Sequence, residues 1–134
     1  MKTIMDFFTP KMDTFFLYDD SSIRQALEKF DYHKFTVVPV IYEDGRFAFS
    51  ISEGDILRYI KDQTSFDLSK AENTKISEIK RYRSYNPINI NTKLDDIFAL
   101  SMEQNFIPVV DDRGVYIGLV KRKTIIKYLL EEKA

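Results

Sequence analysis

The chain has 134 residues, of which 44% are hydrophobic and 31% charged, and its formal net charge is -1. This is the composition of one folded domain, or of two small ones sharing a core, and not of a disordered or fibrous chain. No cysteine and a single histidine exclude disulfides, thiolate metal sites, a thiol nucleophile and the usual transition-metal centres.

The apolar runs are far shorter than the roughly 20 residues of a membrane helix. Asp6 interrupts the N-terminus too early for a signal peptide. A cytoplasmic chain without membrane contact is expected. Charge is uneven: residues 1–68 hold 8 basic and 12 acidic side chains, residues 69–134 hold 12 and 9. The excess of cations in the second half reads either as scatter over a solvated surface or as a basic cleft for an anion.

Residues 3–8 read as a short lead-in helix, with Thr3 and Asp6 at capping-box spacing. A short strand is expected at 15–18. A helix follows, capped by Ser22 and Gln25, whose apolar positions Ile23, Ala26, Leu27 and Phe30 step by three and four. His33 falls at its end and reads as a surface or capping residue. A β-branched strand with Pro39 inside it spans 35–41. The turn 43–46 contains Gly45, which can supply positive φ. A strand at 47–51 and a closing helix over roughly 53–62 complete the run, and polar residues 63–73 form a linker.

The order then returns. Residues 74–80 read as a second lead-in helix, followed by the basic group Lys80, Arg81 and Arg83. A strand is expected at 88–90, and a helix on Leu94, Ile97, Phe98 and Met102, opened by Thr92 and Asp95. A strand around Pro108, a turn with Gly114, a strand at 116–120 and a helix at 122–132 close the chain. At a constant offset of 69, Pro39 falls on Pro108, Val40 on Val109, Gly45 on Gly114, Ile51 on Val120, Ile56 on Ile125 and Tyr59 on Tyr128. The chain is therefore a β-α-β-β-α unit written twice, with copies at 1–66 and 67–134. A unit of about 60 residues is marginal alone. The expected architecture is an α/β (α+β) fold in which two such units pack sheet to sheet about a pseudo-twofold axis.

This tandem pattern resembles the CBS domain pair, or Bateman module, of the stand-alone bacterial type. Pro39-Val40-Ile41 with Gly45, and Pro108-Val109-Val110-Asp111 with Gly114 and Gly118-Leu119-Val120, carry the resemblance over almost the whole length. The family binds adenosine-containing ligands (AMP, ADP, ATP, S-adenosylmethionine or cyclic di-AMP) in clefts between copies, and binding regulates a partner. No covalent cofactor is implied. The family's signature is Gly-apolar-apolar-Thr/Ser-x-x-Asp, whose hydroxyl touches phosphate and whose acid takes the ribose hydroxyls. Ser52 and Asp55 match it in copy one, where Phe49 replaces the glycine and Ser50 the first apolar residue. In copy two Gly118 matches, but Lys121 and Thr124 stand at the hydroxyl and acid positions.

Independently of the family, a serine at a helix start lies beside unpaired N–H groups and the positive dipole end, where a phosphate fits. The bland reading of Ser52 and Asp55 is a plain capping box. Arg81, Arg83, Lys121 and Arg122 are candidate phosphate contacts. Phe16, Val38 and Pro39, and Ile88, Ile107 and Pro108, are candidate walls for an adenine, or else simply core. Asp19-Asp20, Asp95-Asp96 and Asp111-Asp112 read as helix starts and a turn. With no nucleophile–base pair and no glycine-rich phosphate loop, an enzyme is not expected. Nucleic-acid binding lacks a motif and a net positive charge. Three readings are weighed: a nucleotide sensor acting on an unknown protein target, a dimerisation module with degenerate clefts and, disfavoured on the grounds just given, nucleic-acid binding through residues 80–83 and 121–123. A homodimer is also expected, in which the apolar faces of the closing helices (Ile56, Tyr59, Ile60; Ile125, Ile126, Leu129) meet a partner, or else these residues are core within the chain.

Overall fold

The computed structural model describes residues 3–33 and 36–132, so the side chain of His33 lies outside it. In chain order the elements are β1 (Phe8–Pro10), β2 (Leu17–Tyr18), α1 (Ile23–His33), β3 (Val37–Ile41), β4 (Phe47–Ser52), α2 (Glu53–Lys61), α3 (Leu68–Asn73), β5 (Ile88–Asn89), α4 (Leu94–Ser101), β6 (Phe106–Val110), β7 (Tyr116–Lys121) and α5 (Arg122–Glu132). The expected lead-in helices are single 3₁₀ turns at Ile4–Asp6 and Ile76–Glu78. The linker is not wholly irregular. Asp67 accepts from the Lys70 N–H and opens α3, a local cap that the polar composition conceals.

The β-α-β-β-α order recurs as the repeat requires. Two compact units result: Phe16–Ser84, and the chain before Phe16 together with that from Tyr85 onward. The repeat boundary near residue 66 and the compact-unit boundaries therefore differ. The segment preceding copy one is built into the unit of copy two, and residues 67–84 stay with copy one.

In the unit Phe16–Ser84 the sheet order is β2-β3-β4, with β2 parallel to β3 and β4 antiparallel to it. Gly45, at φ 96°, turns the β3–β4 hairpin. Val38, Val40 and Ile51 face Ile23, Ala26, Phe30 and Ile56 in one apolar core, joined by Ala71, Ile76 and Ile79. This is why residues 67–79 belong here. Backbone bonds from Ile23 N–H to Thr74 O and from Ile76 N–H to Ser21 O lock the second lead-in to the start of α1. Arg24 bridges α1 to Glu72 of α3.

The other unit carries a fourth strand, in the order β1-β7-β6-β5. β1 runs antiparallel to β7 with Pro10 opposite Gly118. Ile4 and Phe7 enter the core with Ile97, Ile107, Val109, Val120 and Ile125. Phe7 meets Tyr128 and Phe98 edge to face, at 4.9 and 5.9 Å between centroids. Thr14 Oγ1 lies 2.9 Å from the Tyr116 hydroxyl, a side chain whose burial pushes its pKa up to about 12. The expected cap at Thr92 is displaced: α4 starts after Lys93 with no side-chain cap bond, and the Thr92 N–H instead closes a turn on Asn89 O.

Candidate functional site

Ser52 ends β4 and caps α2. Its Oγ accepts from the Asp55 N–H at 3.0 Å, and Asp55 Oδ2 accepts from the Ser52 N–H at 3.0 Å. The bland reading is thus satisfied in full. Asp55, however, does more than close the box. Its other oxygen, Oδ1, accepts from the Tyr82 N–H at 3.0 Å, twenty-seven residues on. The Arg58 guanidinium stands 3.8 Å from the same oxygen. Asp55 is only 3% exposed. A carboxyl group so placed is withdrawn from solvent and accepts from two N–H donors, and it retains lone pairs for further donors.

The segment 79–82 lies across the start of α2 as a strap. Arg81 stacks on the Phe49 ring with its guanidinium carbon 3.8 Å from the centroid and donates to Ile79 O at 3.1 Å. Arg58 and Lys80 both lie over the Tyr82 ring, at 4.5 and 5.0 Å. The sequence signals place Ser52, Asp55 and Arg81 together, with Arg83 one residue beyond the strap's anchor. Sequence reasoning missed Tyr82 and Arg58. The first acts through its main-chain N–H, which carries no residue signature. The second was detectable, because Arg58 sits three residues after Asp55 on α2.

Phe49 explains the strap. In the other unit the first lead-in runs from its 3₁₀ turn straight into β1, and Gly118 makes room for it. A Cβ on Gly118 would sit 2.2 Å from Thr9 O and 2.5 Å from the Phe8 ring. Counted from the 3₁₀ turns, Lys80-Arg81-Tyr82 corresponds to Phe8-Thr9-Pro10. Phe49 stands at the position of that glycine, and Arg81 of the strap stacks on its ring. Among the described residues no strand pairs with the outer edge of β4.

The remaining candidate contacts are distributed through both units. Val38 belongs to the helix-side core of its unit, and Ile88 and Ile107 to that of theirs. Strand alternation turns these residues inward and leaves Pro39 and Pro108 on the opposite sheet faces. Phe16 lines a groove of about 450 Å³ against α1, with Tyr18, Gln25, Glu28, Lys29 and Tyr32, and Lys29 Nζ donates to its carbonyl. Arg122 is tied down: its Nε donates to Ser101 O at 2.6 Å, so a cation misplaced at the start of α5 serves the carbonyl end of α4. Lys121 is exposed at the end of β7. Ile56 and Ile125, expected on a pairing face, are core residues.

Among the described residues no group of acidic or histidine side chains could hold a metal ion, and no helix is long and apolar enough to cross a membrane.

The model of the CBS domain matches the chain twice, over residues 4–62 and 76–131. An uncharacterized protein of Methanocaldococcus jannaschii, MJ1426, is 24% identical over 85% of this chain and 84% of its own. A crystal structure of CbpB in complex with c-di-AMP superposes with a TM-score of 0.86 at 24% identity, covering 97% of this chain and 85% of that one. A crystal structure of CBSX2 in complex with AMP, a protein of Arabidopsis thaliana, gives 0.78 at 25% identity with both chains fully covered. The chain belongs to the CBS domain family, as a tandem pair.

Proposed function

We propose that the protein is a regulatory module that senses an adenosine-containing ligand, such as AMP, ADP, ATP, cyclic di-AMP or S-adenosylmethionine, and modulates a partner protein through it. The observation that carries this reading is the hydrogen bond from the Tyr82 N–H to Asp55 Oδ1. The carboxylate suited to a ribose diol is the same group that holds the strap, so occupancy and strap position are linked. A ligand shifts such an equilibrium only by its differential affinity for the two states, and exchange at Asp55 supplies that difference. Ser52, at the positive end of α2, accommodates a phosphate, and Arg81, stacked on Phe49 of the same strand as Ser52, would supply a cation to it. The AMP and c-di-AMP complexes of similar proteins support the ligand class.

The test is thermal unfolding with AMP, ATP, cyclic di-AMP and S-adenosylmethionine, followed by calorimetry on any ligand that stabilises. A ligand at 100 times its Kd adds about 2.7 kcal/mol. Arg81→Ala is expected to weaken binding five- to tenfold. Failure of all four ligands to raise the melting temperature refutes the reading.

The alternative, an interaction module with non-binding clefts, is favoured by one observation: Asp55 is buried with both oxygens occupied. We also propose a homodimer. Leu57 is 66% exposed on α2 in a groove lined also by Leu27, Asp31, Glu53 and Ile60, a face that a second copy would cover.

A further inference from the structure

β4 alternates. Phe49 and Ile51 turn to the helix-side core, so Ser50 and Ser52 project from the opposite face. Ser50 is 4% exposed and lies opposite Pro39 on β3. Among the described residues its Oγ has no hydrogen-bond partner. A hydroxyl withdrawn from water and left unpaired is unfavourable, and native structures rarely keep one without a use. Packing alone does not require it. At the corresponding position of the other copy stands Leu119, which is buried as an ordinary apolar side chain. Ser50 and Ser52 share one face two residues apart, hence about 7 Å along the strand. That is comparable to the span from the phosphate to the base of a nucleoside monophosphate.

We infer that Ser50 is a ligand-contacting, specificity-determining residue. Its Oγ hydrogen-bonds a polar edge of the purine of a nucleotide whose phosphate lies at Ser52. The inference rests on the proposed ligand class and adds to it a group that reads the base. Copy two, with Leu119 there, lacks it. The hydroxyl is idle in the unliganded protein and paired in the complex, so its removal acts with opposite sign on the two states.

The test compares the full chain with Ser50→Ala, using AMP and ribose 5-phosphate as probes. The variant is expected to melt higher than the parent when unliganded, to bind AMP 3- to 10-fold more weakly, and to bind ribose 5-phosphate unchanged. Equal losses for both probes would make Ser50 a structural residue and overturn the inference, as would unaltered AMP affinity. If the parent binds none of AMP, ATP, cyclic di-AMP and S-adenosylmethionine, the ligand reading itself falls and takes this one with it. Parent binding with an indifferent variant defeats Ser50 alone.

Discussion

Gly118→Ala is the sharpest single test of how the N-terminal segment is held. The added Cβ would lie 2.2 Å from Thr9 O and 2.5 Å from two atoms of the Phe8 ring. The ring can swing aside, but the carbonyl belongs to strand backbone and moves only with β1. Relieving the contact needs a displacement of about 1 Å, enough to stretch a ladder hydrogen bond from about 2.9 Å beyond its useful range. The backbone at Gly118, with φ at 156°, is also one that L side chains rarely adopt, and such strain costs of order 1–3 kcal/mol. Losing one or two ladder bonds adds about 1–2 kcal/mol, and loosening Phe7 from Phe98 and Tyr128 adds part of the 0.5–1.5 kcal/mol typical of each aromatic pair. A cost of about 3 kcal/mol is expected, read by urea denaturation, with amides of residues 4–10 losing hydrogen-exchange protection while β3 and β4 keep theirs. A variant within 1 kcal/mol of the parent, with that protection intact, would refute the account of Gly118 as a packing glycine.

Tyr116 titrates near 12 when folded, against 10 in the unfolded chain. Its contribution is intact below pH 10 and is lost as pH rises through 12, about 2–3 kcal/mol in all; alkaline unfolding should show this loss in the parent and not in Tyr116→Phe. Asp55→Asn replaces one acceptor by a donor facing an N–H. It should cost about 1–3 kcal/mol and release residues 80–84 to faster hydrogen exchange, and an unchanged exchange rate there would contradict the strap. Arg122→Ala should lower stability by about 1–2 kcal/mol through loss of the bond to Ser101 O while leaving AMP affinity unaltered; a drop in affinity would restore Arg122 to the ligand site.

The repeated elements were legible because their signals are local and rigid. Pro39 and Pro108 mark the same place in each hairpin, and Gly45 and Gly114 supply positive φ at the same distance beyond it. Ser52 and Asp55 were legible for the same reason, since a capping box is a four-residue device. The partner of β1 was not. Three residues are too short to show alternation, and their mate on β7 lies more than 100 residues away. Gly118 carried a hint, but it read as a nucleotide-motif glycine when its immediate duty is to admit Thr9 O. Val38, Ile88 and Ile107 illustrate the converse: they are apolar and flank the right prolines, yet which face they take is decided by pairing register. Arg122 looked available for phosphate because its acceptor, Ser101 O, is a main-chain group contributed by another helix.

A single position separates the two halves of the repeat in behaviour. With glycine at 118 the lead-in becomes a strand, held by its register with β7 and by Phe7 in the core. With Phe49 in the matching place the lead-in becomes a strap, held at its end by the Tyr82–Asp55 bond and the stacking of Arg81 on Phe49. Displacing β1 would require breaking a ladder and emptying part of a core. Displacing the strap's end costs one charge-assisted hydrogen bond, about 1.5–3 kcal/mol, and a cation–π contact of about 0.5–2 kcal/mol. A micromolar ligand brings about 8 kcal/mol of binding free energy, more than the exchange at the strap costs. Under the proposed function, the exchange belongs to the half with Asp55 and Phe49, whose strap is held by the Tyr82–Asp55 bond and the Arg81–Phe49 contact. The half that kept the glycine lost the acid, because Thr124 stands in its place, and there the lead-in is fixed.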